Sequence, residues 1–287
     1  ETTLAGINNL LLNANYTIGT INLSTTPIPD DCEMLIISSP RVDFTVEEIE
    51  ALDAYFERNG NAMIFYDISI PELPVFERFM AEWGIKYESV LVADSAQAIS
   101  NPTNLAPSLL SHALTENLTG SGSYVVVPAA RQISLLFSQE GWRTVTPLLA
   151  SSSTSYGKQI SAGQTISNYA KEAGDLAGPF YVCALSEQNV LENLENNYSR
   201  ILFCSTGMAT DTMLETDAFL NSRFFVQALS YMNESVDAIV VEPKYYTSTM
   251  LTITSSQANV LMWILVIILP LGILATGFVV WMRRKNM

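Results

Sequence analysis

The sequence predicts an α/β fold: a mostly parallel sheet wrapped by helices, a β-rich middle elaboration, and one C-terminal transmembrane helix. Three observations predict it. Val260 to Met282 runs 23 residues without a charge, and Arg283, Arg284 and Lys285 follow at once. Short apolar runs of buried-strand type alternate with amphipathic helical stretches between residues 34 and 83, and the pattern returns between 180 and 233. The stretch between them, about 90–175, is rich in Pro, Ser and Asn and carries β-like runs.

In chain order, Leu4 to Asn13 reads as a helix with Leu4, Ile7, Leu10 and Leu11 on one face. Tyr16 to Leu23 alternates as a strand does, and a Pro-rich turn follows. Met34 to Ile37 is a buried strand. Pro40 to Asn59 carries a helix, with Thr45 as N-cap and Glu48 completing a capping box. Ile49, Leu52 and Phe56 line its inner face, and Asn59–Gly60 ends it. Ala62 to Tyr66 is the next strand, and Pro71 to Trp83 a helix opened by its proline. In the middle, Tyr124–Val127, Gln132–Phe137 and Val145–Leu149 are β-like, and residues 151–155 form a loop. Phe180–Leu185 and Arg200–Cys204 are strands, and Ser222 to Asn233 is a helix.

About 20 apolar residues at roughly 1.5 Å each cross a hydrocarbon core of roughly 30 Å. Trp263 and Trp281 stand near the two ends of the run, as interfacial aromatics do. Pro270 and Gly272 fall mid-span, where a membrane tolerates them and a soluble helix does not. A buried core helix of this length is uncommon, no LPxTG-like sorting signal precedes the run, and a lipid-anchor tail would not end in three cations. The basic cluster predicts a cytoplasmic C-terminus at the cell membrane. The expected organisation is an extracytoplasmic domain over 1–241, a stalk over 242–258, a span over 259–282 and a basic tail over 283–287.

Ahead of the span stand 11 Lys and Arg against 29 Asp and Glu, a net charge of −18. So acidic a domain argues against nucleic acid and against anionic lipid heads as partners. Cys32, Cys183 and Cys204 form neither a disulfide framework nor a metal-ligand spacing. Scarce cysteine in an exported domain points to a bacterial source. Five N-x-S/T sequons fit chance in a chain this rich in Asn, Ser and Thr. Glu1 is preceded by no signal peptide, so upstream sequence carrying an export signal or first membrane segment is expected.

Cys204 ends the apolar string SRILFCSTG, where α/β hydrolases place a nucleophile, and His112 is the single histidine. The flanks of Cys204 lack the small-x-nucleophile-x-small spacing, and nothing in the sequence joins the pair. A cysteine hydrolase is therefore the weaker reading. There is no phosphate loop, and no zinc set can be drawn from one His and three Cys. The clusters Asp30, Asp31, Glu33 and Glu47, Glu48, Glu50 read as solvated faces. Tyr156, Tyr169, Tyr245 and Tyr246 are compatible with a surface glycan-binding module.

The string from Ile28 to Asp67 resembles the GldG-type auxiliary subunits of bacterial ABC transporters, known from gliding-motility systems. Their pattern falls on Ile28, Pro29, Asp31, Pro40, Asp43, Phe44, Thr45, Glu48, Leu52, Tyr55, Gly60, Asn61 and Asp67. Asn59 replaces the first Gly of the family's pair. A second match is NSRFFVQALSYM, where Asn221, Phe224, Phe225, Ala228 and Leu229 agree and Ser222 and Arg223 depart from an Arg-Asp pair. The third is the ending: a stalk, a Gln-Ala start, a span with an internal Pro-Leu-Gly-Ile and the Arg-Arg-Lys tail. The resemblance implies a Rossmann/flavodoxin-like, amidotransferase-like domain without a catalytic nucleophile. It implies no enzyme activity, no cofactor, and partnership with an ABC permease and ATPase. Glu1 matches the last residue of the family's Gly-His-Gly-Glu turn, so a first strand is expected upstream.

Overall fold

A computed structural model describes residues 4–118, 123–161, 168–189, 198–233 and 254–285. The first expected elements form nearly in place: α1 (Ala5–Asn13), β1 (Met34–Ser38), α2 (Val46–Glu57), β2 (Asn61–Tyr66) and α3 (Pro74–Glu82). The middle and second half supply β3 (Ile85–Ala93), β4 (Arg131–Leu135), β5 (Arg143–Ala150), β6 (Tyr156–Gln159), β7 (Tyr181–Asn189), β8 (Tyr198–Ser205) and α4 (Asn221–Met232). Short strands and single-turn helices fill the connections.

Among the described residues one large sheet runs in the order β1-β2-β8-β7-β4-β3-β6, with β5 also paired to β7. The expected mostly parallel sheet is mixed. Strands β1, β2 and β8 are parallel. Pairs β8–β7, β7–β5, β3–β4 and β3–β6 are antiparallel. The reason lies in the connections. A parallel neighbour needs a crossover of a dozen or more residues, as α2 provides between β1 and β2. The middle strands have no such helices between them, so they meet head to tail.

β2 is buried at all six positions because β1 and β8 flank it and helices cover both faces. Met63 and Phe65 face one layer with Ile7 and Leu10 of α1 and Phe224, Phe225 and Ala228 of α4. Ala62, Ile64 and Tyr66 face the other, with Leu52, Tyr55 and Phe56 of α2, Phe76 and Phe79 of α3, and Trp83 just after α3. The period-2 alternation of one strand thus divides two cores.

Three expected elements differ. Tyr124–Val127 forms only an isolated bridge from Tyr124 to Phe219 and a two-residue strand, Val127–Pro128. Tyr16–Leu23 is not a strand. The Asn22 side chain accepts from Ser24 N and its carbonyl from Thr26 N, a local turn that competes with pairing. Helix α3 opens at Pro74 rather than Pro71, where Pro occupies its first turn. The stalk over 242–258 lies outside the described residues up to 253. From there one apolar helix, α5 (Ser256–Arg284), runs for 29 residues with mean hydropathy 2.6 over its most apolar window, and no part of that window is buried. A π-helical segment, Trp263–Ile268, stands just ahead of Pro270. Pro270 has no N–H to give its preceding turn, and a locally widened helix accommodates that loss.

Candidate functional site

The structure gives the motif strings architectural work first. Asp43 lies in the loop after β1, and its Oδ2 accepts from Val75 N at 2.9 Å while its Oδ1 accepts from Phe76 N at 3.1 Å. It therefore caps α3 from outside the helix. Phe44 stacks on Phe76 with ring centroids 4.5 Å apart. Thr45 caps α2, with Glu48 completing the expected box. Three consecutive residues thus fix the starts of two helices.

The Tyr55–Gly60–Asn61 part works likewise. The Tyr55 hydroxyl donates to Asn61 O at 2.8 Å and accepts from Asn61 N at 3.1 Å. A Cβ on Gly60 would fall 2.3 Å from the Tyr55 ring, so only glycine lets that ring close over the turn. The Asn61 amide donates to Met232 O at 3.1 Å and its Oδ1 accepts from Arg200 N at 3.0 Å, joining β2 to β8 and to the end of α4. Asn221 is fully buried at the other end of α4. Its Oδ1 accepts from Val126 N at 2.8 Å, and its Nδ2 donates to Val126 O at 2.8 Å and Met208 O at 3.1 Å.

The carboxyl ends of β1 and β8 meet where Ser39 Oγ and Thr206 Oγ1 share a 2.7 Å hydrogen bond. Ser39 holds φ +48 there. Cys204 lies on β8 two residues before Thr206, buried, with Sγ 3.4 Å from Cys183 Sγ. Burial and then the Cys183 contact push its thiol well above the ordinary range, which is the opposite of an activated nucleophile. His112 does not serve it. His112 caps a short helix through Nδ1, which accepts from Leu114 N at 3.1 Å, and its ring packs edge-on against Tyr231 at 5.1 Å. Burial holds its pKa below the ordinary value.

The other candidates also take structural places. Asp30 pairs with Arg58, and Glu48 takes part in the capping box and accepts from Ser24 Oγ at 2.5 Å. No group of three His, Cys, Asp or Glu able to hold a metal occurs among the described residues. Tyr156, expected as an exposed aromatic, is buried at 1% exposure, because β6 joins the sheet beside β3 and its hydroxyl donates to Tyr169 O. Tyr169 is exposed, and Tyr245 and Tyr246 lie outside the described residues.

The membrane-helix residues form a separate region. Trp263, Pro270, Trp281, Arg283 and Arg284 are solvent-exposed along α5, and Lys285 closes its last turn. Thr254 and Gln257 cap its start reciprocally. The first turn rests on the domain: Ser256 Oγ donates to Ala96 O at 3.0 Å, and Gln257 Nε2 donates to Tyr124 Oη at 3.2 Å. Tyr124 is itself tied to the start of α4, its carbonyl accepting from Leu220 N at 2.8 Å. Buried Asp94 shapes the Ala96 loop, accepting from Ala96, Gln97 and Ser152 amides.

Residues 1–205 match the family model described as an ABC-type uncharacterized transport system. The chain belongs to this family of ABC transporter auxiliary proteins. Members are auxiliary components of ABC-type transport systems, so the resemblance read from the motifs reaches the right family at that level. No curated protein sequence matches the chain. The N-terminal domain of mmIFT52 is similar in fold, with a TM-score of 0.55 at 15% identity, covering 81% of this chain and 91% of that one. A putative ThuA-like protein from Bacteroides uniformis gives a TM-score of 0.45 at 18% identity, over 81% of this chain and 86% of its own. The first of these likenesses concerns fold alone.

Proposed function

We propose that this family member is a non-enzymatic accessory subunit of an ABC-type export system, of the GldG kind associated with gliding motility. Helix α5 anchors it in the cell membrane, with the domain over 1–241 outside and the tail over 283–287 in the cytoplasm. One observation carries the reading: a match to an ABC-transport auxiliary family and an unburied 29-residue apolar helix occur in the same chain. Trp263 and Trp281 mark the two membrane interfaces, and Arg283, Arg284 and Lys285 hold the cytoplasmic end. Pro270 and the π-helical segment beside it bend or widen the span within lipid. The domain engages a partner or export substrate, and the span packs against the permease. The Ser256–Ala96 and Gln257–Tyr124 contacts favour a domain held against the first turn of the span rather than swinging on a tether.

Absence of catalysis rests on Cys204, whose thiol is buried and disfavoured as a thiolate. Co-purification tests the proposal. Full-length protein taken from its native membrane in mild detergent is expected to bring down a multi-span permease and an ATPase. Failure to recover either, with and without cross-linking before extraction, sinks it.

A further inference from the structure

Cys183 on β7 and Cys204 on β8 belong to neighbouring antiparallel strands. The antiparallel register ends with Ala184 paired to Phe203, and Cys183 and Cys204 are the next residue on each strand, where β7 also shifts register against β5. Their sulfurs are 3.4 Å apart. Directly opposed residues of antiparallel strands have Cα atoms about 4.5–5.5 Å apart, inside the range of roughly 4.4–6.8 Å that a disulfide spans. The third cysteine is elsewhere. Cys32 precedes β1, contacts Met34 O and packs with the α2–α3 core, whereas the pair lies in the α1–α4 core.

Free cysteines are common in cores as small apolar residues, and packing alone requires no bond between them. The compartment separates the two cases. Disulfides persist outside the cytoplasm, where the topology proposed above puts this domain, and the inference rests on that reading. We propose that Cys183 and Cys204 are a disulfide-forming pair, closed as the domain folds outside the cytoplasm. The oxidant is an external disulfide, RS–SR. The thiolate of one cysteine attacks it and releases RS⁻, leaving a mixed disulfide. The thiolate of the second cysteine then displaces the remaining RS⁻. One S–S bond forms and one breaks, the two cysteines lose two electrons to RS–SR, and their two protons pass to the released thiolates. Cys183 and Cys204 are 0% and 1% exposed once folded. Exchange therefore precedes closure of α1 and α4 over the sheet, and the finished bond is shielded from thiols.

Full-length protein is extracted from its membrane into denaturant with N-ethylmaleimide. The expected result is label on Cys32 alone of the three cysteines, and a peptide map joining the segments that carry residues 183 and 204. Cys183→Ser is expected to free Cys204 for labelling. A membrane-impermeant maleimide on Thr26→Cys, in a Cys32→Ser background, reads the topology in intact cells. Three labelled cysteines with the domain outside overturn the pairing alone. If the domain is inside, the topology fails, and the pairing is decided by refolding the reduced full-length protein with glutathione disulfide. A 183–204 linkage then sustains it; linkage through Cys32, or none, overturns it.

Discussion

The Asp43 carboxylate accepts from the Phe76 amide at 3.1 Å across 33 residues of chain. The cap of α3 therefore belongs to the loop after β1, and the two helices on that face begin from one tripeptide. Asp43→Ala is expected to cost about 1–2 kcal/mol of unfolding free energy, the range for a lost N-cap. Asp43→Asn, which keeps one acceptor oxygen, is expected to cost less. Urea unfolding of the detergent-solubilised protein measures both, and equal losses for the two variants would remove the carboxylate from the account.

Gly60→Ala sets a methyl group 2.3 Å from the Tyr55 ring. Overpacking of this kind costs about 1–3 kcal/mol. Tyr55→Phe keeps the ring but strips the buried Asn61 amide of its acceptor, at roughly 1–3 kcal/mol. Because the ring is the obstacle, Tyr55→Leu is expected to relieve part of the Gly60→Ala cost. A double-mutant cycle with purely additive losses would contradict the contact.

Asn221→Asp is nearly isosteric yet cannot donate to Val126 O and Met208 O. Two buried carbonyls then face a carboxylate, so a larger loss than for Asn221→Ala is expected. Thermal unfolding ranks the two variants, and the opposite order would show that the amide's donor side contributes little.

Spin labels at Gln139 and Asn259, in a Cys32→Ser background, report how the domain sits on α5 in lipid nanodiscs. A narrow distance distribution is expected for the otherwise native protein. Tyr124→Phe combined with Ser256→Ala is expected to broaden it while leaving the melting temperature nearly unchanged, since exposed hydrogen bonds contribute little net stability. An unbroadened distribution would mean that the two contacts do not hold the domain.

His112 is held below its ordinary pKa chiefly by burial, with Arg200 lowering it further and Glu187 opposing. The unfolded chain thus binds the proton more readily than the folded one. Stability is expected to be full above the unfolded imidazole pKa of about 6.5 and to fall as pH drops from there toward the lower folded pKa. His112→Asn keeps an N-cap side chain and removes the titration. Its unfolding free energy is expected to have a shallower slope across that window, and an unchanged slope would assign the pH dependence to the carboxylates instead.

Legibility followed locality. The Thr45–Glu48 box was readable because both partners stand within one turn of helix. β1, β2, β8 and α4 were readable because their apolar spacing is continuous. β3, IKYESVLVA, has no single period, since Ile85 and Tyr87 alternate but Val90, Leu91 and Val92 do not. β6 carries Gly157 and Lys158 and has little apolar signal of its own. Its place comes from pairing with β3. Tyr16–Leu23 shows the converse: its alternation is present, yet the local Asn22 turn leaves it a loop, with Ile21 and Leu23 packed on one core and Tyr16 on the other.

By itself the sequence determined the apolar run from Val260 to Met282, the basic end at Arg283, Arg284 and Lys285, the α/β alternation and the motif strings that mark the transport family. Each of these is a matter of composition or of spacing within a few residues, where 3.6- and 2-residue periods and local capping suffice. Tertiary structure alone decided the strand order, the role of Asp43 in α3, the closeness of Cys183 and Cys204, and the seat of the first turn of α5 on Ala96 and Tyr124. Those relations join residues 21 to 160 positions apart. No local period encodes them; they follow from which faces the sheet must bury and which edges it leaves open to pair.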